Sequence, residues 1–255
     1  MKIAVCVKHA IDESELKIDS NGKPQLEGAQ TKMGTFDKNA VEEALRIRTS
    51  RGGEVIALTV GKAEAKKSLK EALAMGTDRG IHILADTGAL NPSRTSEVLA
   101  AAITKTGPYD MVLCSEGSSD TYTGLVPPML AERLDIPYIG YVRKLEVSDQ
   151  SVRAERSLEE SLETVESHMP VVVSVVSEIN EPRYPTLIQI MQASKKQVQD
   201  LGADQLGLHD SPPATTVLSM AAQPSNRKHV IVEGSPDEAA AKLVELLVKE
   251  GVLQT

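Results

Sequence analysis

The sequence predicts an α/β protein: a Rossmann-like, doubly wound, mainly parallel sheet, with an antiparallel strand extension and a C-terminal arm. Three observations carry this expectation. Short, near-continuous apolar runs alternate with amphipathic stretches up to about residue 138, the pattern of parallel strands covered on both faces. Three later segments alternate apolar and polar residues, as half-exposed antiparallel strands do. Beyond residue 197 the periodicity stops and turn residues dominate.

Taken in order, KIAVCVK (2–8) is the first strand, and residues 9–36 form a long crossover whose SNGK turn marks a hairpin excursion. Ala40, Val41, Ala44, Leu45 and Ile47 then share one face of a helix. EVIALTV (54–60) is the next strand, and its helix carries Ala65, Leu69, Ala72 and Leu73 on one face. RGIHILA (79–85) leads to a helix with Val98, Leu99, Ala102 and Ile103 aligned, and DMVLCS (110–115) follows. A βαβ series of this kind is wound right-handed. YIGYVRKLEVS, SVRAERSL and LETVESH are the antiparallel extension, and PVVVSVVS (170–177) returns as a buried central strand. The domain division that results is 1–197 for a nucleotide-binding α/β domain, 198–234 for an extended arm and 235–255 for a C-terminal helix. That helix has Ser235 as N-cap, Pro236 at its first position and Gly251 at its end. A turn-rich, proline-containing arm of this length is expected to lie on a partner, because it cannot bury itself.

Composition excludes several functions. The 255 residues, 41% of them hydrophobic, are enough for a sizeable core. A net charge of −8 repels a phosphate backbone, and one Phe, five Tyr and no Trp leave few rings for base stacking, so no nucleic acid partner is expected. Cys6 and Cys114 lie in apolar runs and are read as small core residues; no CxxC or Cys/His spacing suggests a metal. His82 sits inside an apolar strand and is read as packed. The acidic pairs Asp12–Glu13, Glu42–Glu43 and Glu159–Glu160 are read as solvated faces. GxSxG and HExxH are both missing, so no catalytic residue is assigned. No apolar run has membrane-spanning length, and MKIAVCVK is too short for a signal sequence; a cytoplasmic, prokaryote-like protein without direct membrane insertion is expected.

In open α/β sheets ligands bind beyond the carboxyl ends of the strands. That rule selects the loops VKHAID, TVGKAE and SEGSSDTYTGLVPP. Gly61 lets backbone approach a ligand, and the following helix offers free N–H groups. Ser115, Ser118, Ser119, Thr121 and Thr123 crowd the third loop, where hydroxyls and amides suit a pyrophosphate without any cationic residue. Capping and turn chemistry is the more frequent reason for the same residue types. Neither GxGxxG nor GxxxxGK[ST] is present to decide between them.

Two longer stretches add a resemblance. VIALTVGKAEAKKSLKEALAMGTDRGIHI (55–83) and SEINEPRYPTLIQIMQASKK (177–196) are similar to the β subunit of electron transfer flavoprotein, and DKNAVEEALRIR (37–48) and VKHAID (7–12) fit as well. The resemblance covers roughly residues 1–200. It implies an adenine-nucleotide-hydrolase-like fold and an obligate heterodimer with an α subunit, contacted by the arm. It also implies a redox-active FAD held mainly on α, and AMP or a second FAD in this chain. Electrons would come from flavin dehydrogenases and leave to a quinone oxidoreductase or ferredoxin-type acceptor. By position, the implied nucleotide contacts are Cys6, Gly34, Thr35, Phe36, Asp37, Val60, Gly61, Ser115, Ser118, Ser119, Asp120, Thr121, Thr123, Gly124, Leu125 and Val126. The implied dehydrogenase-recognition loop is Arg183, Tyr184, Pro185, Thr186, Leu187, Ile188, Gln189, Ile190, Met191 and Gln192, with Leu187 as the apolar anchor. Pro182 and Pro185 stiffen that segment, which lowers the ordering cost of docking. From spacing alone, Leu187, Ile190 and Met191 fit equally the buried face of a short helix.

The chain also departs from the family. Gly34 stands where many members have Asn, Ser157 follows Arg156 where a glutamate is common, and Leu125 replaces a glutamine of the bifurcating type. Two alternatives to a plain carrier stay open at this stage. One is an electron-bifurcating form that oxidises NADH at a second FAD; the other is a stand-alone nucleotide-binding stress or signalling module.

Overall fold

The computed structural model describes residues 1–86, 91–208, 215, 217–222 and 228–253. His209, much of the 198–234 arm and residues 254–255 of the C-terminal segment lie outside the described residues.

The central strands are β1 (Lys2–Cys6), β4 (Glu54–Gly61), β5 (Arg79–Leu84), β6 (Met111–Ser115) and β10 (Val171–Val175). They are joined by helices α1 (Thr35–Arg51), α2 (Lys66–Met75), α3 (Pro92–Thr106) and α4 (Val126–Leu134). The antiparallel extension consists of β7 (Tyr138–Val147), β8 (Ser151–Ser157) and β9 (Leu162–His168). With β11 (Val198–Leu201) at the other edge, the nine-stranded sheet has the order β11-β5-β4-β1-β6-β10-β7-β8-β9. The order reverses at β1, which pairs in parallel with β4 on one side and β6 on the other. A crevice therefore opens beyond the carboxyl ends of β1 and β6.

Alternation along the strands sorts the side chains into two cores. Ile3, Val5, Val55, Ala57, Met111, Leu113, Val171 and Val173 pack against the apolar faces of α1 and α2. Ala4, Ile56, Leu58, Val112, Cys114 and Val172 pack against α3 and α4 on the other side. The helix faces read from the sequence are the buried ones: Val41 and Leu45, Leu69 and Leu73, Val98 and Ile103 are all under a tenth exposed. Gly80 lets α2 approach β5, because a Cβ there would lie 2.8 Å from two carbons of the Leu69 side chain. Gly80→Ala is expected to cost about 1–3 kcal/mol by overpacking, read as a lower urea midpoint at unchanged slope.

The hairpin excursion is present. It consists of β2 (His9–Ile11) paired antiparallel with β3 (Thr31–Met33), and Gly22 takes φ 76° in its turn. β7 runs parallel to β10 only at its start. Tyr141 then takes φ 59°, and the pairing with β8 shifts register between Val142 and Lys144. Beyond this bend the extension folds back, so that Asp149 at the β7–β8 turn pairs with Arg51 in the last turn of α1. The segment expected to start the arm instead contributes β11, and Leu201, 1% exposed, joins the core. The C-terminal helix, α5 being the short Leu187–Ala193, is α6 (Pro236–Lys249), with a reciprocal Ser235–Glu238 cap. It buries no residue against the body and leaves Leu243 and Val244 about half exposed.

Candidate functional site

β1 ends where the sheet order reverses, and the first residues beyond it line the crevice. The Lys8 backbone N–H donates to Asp37 Oδ2 at 2.7 Å, which fixes the first turn of α1 to the end of β1. Ser115, the last residue of β6, donates from Oγ to the other oxygen of Asp37 at 2.5 Å. Gly34 precedes α1 and leaves room for this carboxylate, because a Cβ there would lie 2.5 Å from Asp37 Oδ2. Burial pushes the Asp37 carboxyl up to about 6, and the Ser115 and Lys8 hydrogen bonds only partly oppose it.

The Lys8 ammonium reaches the third loop. It bonds Asp120 Oδ1 at 2.6 Å, Ser118 Oγ at 3.3 Å and Thr121 Oγ1 at 3.4 Å. Asp120 also accepts from the Ile11 N–H at 3.3 Å, and although burial pushes its carboxyl up, Lys8 holds it below its ordinary value. The sequence showed no cation within the hydroxyl-rich loop, and the structure brings Lys8 to it from the end of β1. The signal was there to read, since Lys8 is the first charged residue after the first strand.

Two buried polar atoms here have no partner. They are Ser119 Oγ in the loop and His9 Nε2, whose ring bonds Ser68 Oγ through Nδ1 at 2.7 Å. Burial, then Lys67, keeps His9 below its ordinary value, so the ring is neutral near pH 7. Phe36 meets Tyr122 edge-on with centroids 5.6 Å apart, and Gly124 takes φ 64°. An ammonium, several hydroxyls and an unpartnered buried hydroxyl around one crevice fit an adenine nucleotide's phosphate.

The structure thus brings Cys6, Gly34, Phe36, Asp37, Ser115, Ser118, Ser119, Asp120 and Thr121 together around β1 and β6. Val60 and Gly61 stand at the neighbouring strand end, where the Gly61 carbonyl accepts from His82 Nε2 at 3.1 Å and the Ala85 N–H at 3.2 Å. Thr35, Thr123 and Leu125 are exposed, and Val126 opens α4.

A second surface lies after β10. Pro182 and Pro185 flank an extended stretch that ends in α5, capped by a reciprocal Thr186–Gln189 pair. Tyr184, Leu187, Ile188 and Met191 are 88%, 79%, 67% and 71% exposed, and Ile190 is half exposed. In this chain they are not the buried face of a helix; Ala193 alone in α5 is buried. The base of the segment is held by α1. Arg183 forms a fork to Glu42 at 2.6 and 2.9 Å. Asn180 donates to the Asn39 carbonyl and to Glu43 at 3.0 Å each, and Asn39 donates back to the Asn180 carbonyl at 2.8 Å. Glu42 and Glu43, read from the sequence as a solvated face, are therefore buried partners of this segment. Arg183 and Asn180 supply the hydrogen bonds that permit it.

Arg156, whose neighbour Ser157 departs from the family pattern, pairs with Glu163 at 3.2 Å and donates to the Gly140 carbonyl at 3.0 Å. Among the described residues, no helix is long and apolar enough to cross a membrane, and no group of three His, Cys, Asp or Glu residues is placed to hold a metal ion.

Comparison with known proteins agrees with this geometry. The electron transfer flavoprotein domain family matches residues 26–206. Among curated relatives, the electron transfer flavoprotein subunit beta of Thermoanaerobacterium thermosaccharolyticum is 38% identical, over 99% of this chain and 100% of its own. The subunits of the same name from Bacillus subtilis and Clostridium acetobutylicum are each 35% identical over 98% of this chain, covering 98% and 99% of their own lengths. With the switch-point crevice and near full-length similarity in place, the chain belongs to the electron transfer flavoprotein β-subunit family.

Proposed function

We propose that this chain is the nucleotide-burying, donor-docking half of a heterodimeric electron carrier. Its partner is an electron transfer flavoprotein α subunit that holds the redox-active FAD, whose chemistry is the transfer of electrons. In this reading flavin dehydrogenases deliver electrons at the 183–192 segment. The carrier then hands them to a quinone oxidoreductase or a ferredoxin-type acceptor. The observation that supports it most is the apolar segment itself: Leu187 and Met191 stand in solvent on a base pinned by Arg183 and Asn180. Exposed apolar side chains on a stiff base form a low-entropy docking surface.

In this proposal the crevice seats an adenine nucleotide, AMP in the plain carrier. Lys8, Ser118, Ser119 and Thr121 hold its phosphate, and Asp37 fixes the loop that carries Lys8. The nucleotide has a structural part there. The arm and α6 serve the α subunit, consistent with Leu218, Ile231 and Leu243 being 95%, 84% and 49% exposed.

Two measurements test the reading. Co-expression with an α subunit, acid denaturation and mass analysis should release one FAD and one AMP per heterodimer. Two FAD would replace the plain carrier by the NADH-oxidising, bifurcating form, and a stable chain that ignores α would favour the stand-alone module. Separately, Leu187→Ala should lower kcat/KM for reduction by a dehydrogenase about tenfold or more, the scale of a lost hot spot. Its unfolding midpoint should not move, because the side chain is 79% exposed. Unchanged kcat/KM would remove the docking assignment.

A further inference from the structure

The chain's two cysteines meet on the floor of the crevice. β1 and β6 are parallel neighbours with Val5 opposite Leu113, so the next pair along is Cys6 opposite Cys114. Both side chains turn to the α3–α4 side of the sheet, where Cys6 packs against the core that contains Cys114. The two thiols are near enough for Cys6 to raise the pKa of Cys114. Adjacent strands run about 4.8 Å apart. That spacing lies inside the roughly 4.4–6.8 Å Cα range of disulfides. The two differ in access: Cys114 is 4% exposed, whereas Cys6 is only partly buried, at the end of β1.

We propose that Cys6 and Cys114 form an oxidisable dithiol, a modification site for hydroperoxides in which Cys6 reacts first and Cys114 resolves it to a disulfide. In the first step the Cys6 sulfur attacks the nearer peroxide oxygen and the O–O bond breaks. Cys6 becomes a sulfenic acid, and the departing hydroxide of hydrogen peroxide, or alkoxide of an organic hydroperoxide, leaves as water or alcohol with the thiol proton. In the second step the Cys114 sulfur attacks the Cys6 sulfur, the S–O bond breaks and the S–S bond forms. The hydroxide leaves as water with the Cys114 proton. Two thiols lose two electrons and two protons to one peroxide, and a thiol reductant returns the pair.

The division of labour follows from the surroundings. The neighbouring Cys6 side chain, and burial after it, hold the Cys114 thiol well above its ordinary range, and Cys114 is the more buried of the two, so it is not the group that meets the oxidant. It is instead the only other sulfhydryl in the chain, on the neighbouring strand and the same face of the sheet as the first. One corollary rests on the proposed nucleotide seat: a bound adenine nucleotide covers Cys6 and slows the first step several-fold.

The test treats the full chain, as purified, with a small excess of hydrogen peroxide, with and without added AMP, and maps the peptides by mass. The dithiol predicts a mass loss of two hydrogens, one Cys6–Cys114 linked peptide and reversal by dithiothreitol. Cys114→Ser should stop at a Cys6 sulfenic acid that dimedone traps. A native parent chain that gives Cys6 sulfinic acid, or unmodified thiols, with no linked peptide overturns the proposal whether or not the variant folds. A linked peptide that forms equally fast with AMP present upholds the dithiol and counts against the nucleotide seat alone.

Discussion

Asp37→Asn is expected to flatten the pH dependence of stability between about pH 4 and 6. The native carboxyl is raised from an ordinary 3.8 to about 6, so it is a group that the folded state prefers protonated. Its contribution is fully present below the unfolded value and is lost as pH rises through about 6. At about 1.4 kcal/mol per pKa unit, the loss is about 3 kcal/mol. Asn carries no charge to desolvate, but it has one acceptor oxygen for the two donors that Lys8 and Ser115 aim at this position. Subtracting about 1 kcal/mol for that hydrogen bond leaves the variant about 2 kcal/mol more stable than the parent at pH 7. Glu43 and Glu116 are also raised by burial, so some slope survives. Urea titrations at several pH values decide the matter. A slope equal to the parent's would mean that Asp37 titrates like a solvated carboxylate.

Arg183→Met should destabilise the chain by about 2–3 kcal/mol, the scale of charge-assisted hydrogen bonds lost from a buried partner. The Glu42 side chain is 6% exposed, and the guanidinium fork satisfies both of its oxygens. Burial pushes the Glu42 carboxyl up, yet Arg183 overrides it and leaves the group below its ordinary value. A lowered carboxyl stabilises above its unfolded value and loses that contribution as pH falls through the native one. The variant's excess instability should therefore be largest near neutral pH and shrink in acid. Adding Glu42→Gln should recover part of the loss, because it removes a buried charge left with only the longer Arg46 pair at 3.4 Å. Failure of that rescue would mean that the cost came from the Arg183 stem and not from the under-paired carboxylate.

Much of the fold was legible because its strands are continuous apolar runs. KIAVCVK, EVIALTV and DMVLCS announce buried parallel strands, and their side chains alternate between the two cores as the pleat requires. β11 was not legible. VQDL is short, half polar and at the sheet edge, so nothing in its pattern separates it from a turn-rich arm. The fold-back of β7 turns on the positive φ of Tyr141, a non-glycine residue that carries no turn signature. The crevice loops could be found from strand order, and Lys8 stands in one of them, but its reach into the hydroxyl-rich loop could not. Lys8 and Asp120 are far apart in sequence and meet only because β1 and β6 are neighbours. The buried state of Glu42 and Glu43 was hidden for a related reason, since paired acids on a helix look solvated until Arg183 and Asn180 arrive from the far end of the chain.

Helix α1 serves as a common datum for two surfaces. Its first turn presents Asp37 to the crevice, and the next turns present Asn39, Glu42 and Glu43 to the exposed apolar segment. At about 1.5 Å of rise per residue, Asp37 and Glu42 are about 7.5 Å apart along one rod. Helical rods of this kind do not stretch, and this one is clamped to the sheet by Val41, Ala44 and Leu45. The base of the exposed apolar segment and the floor of the crevice are therefore held in register with the tolerance of a single rigid part, so that in the proposed heterodimer neither surface could shift without the other.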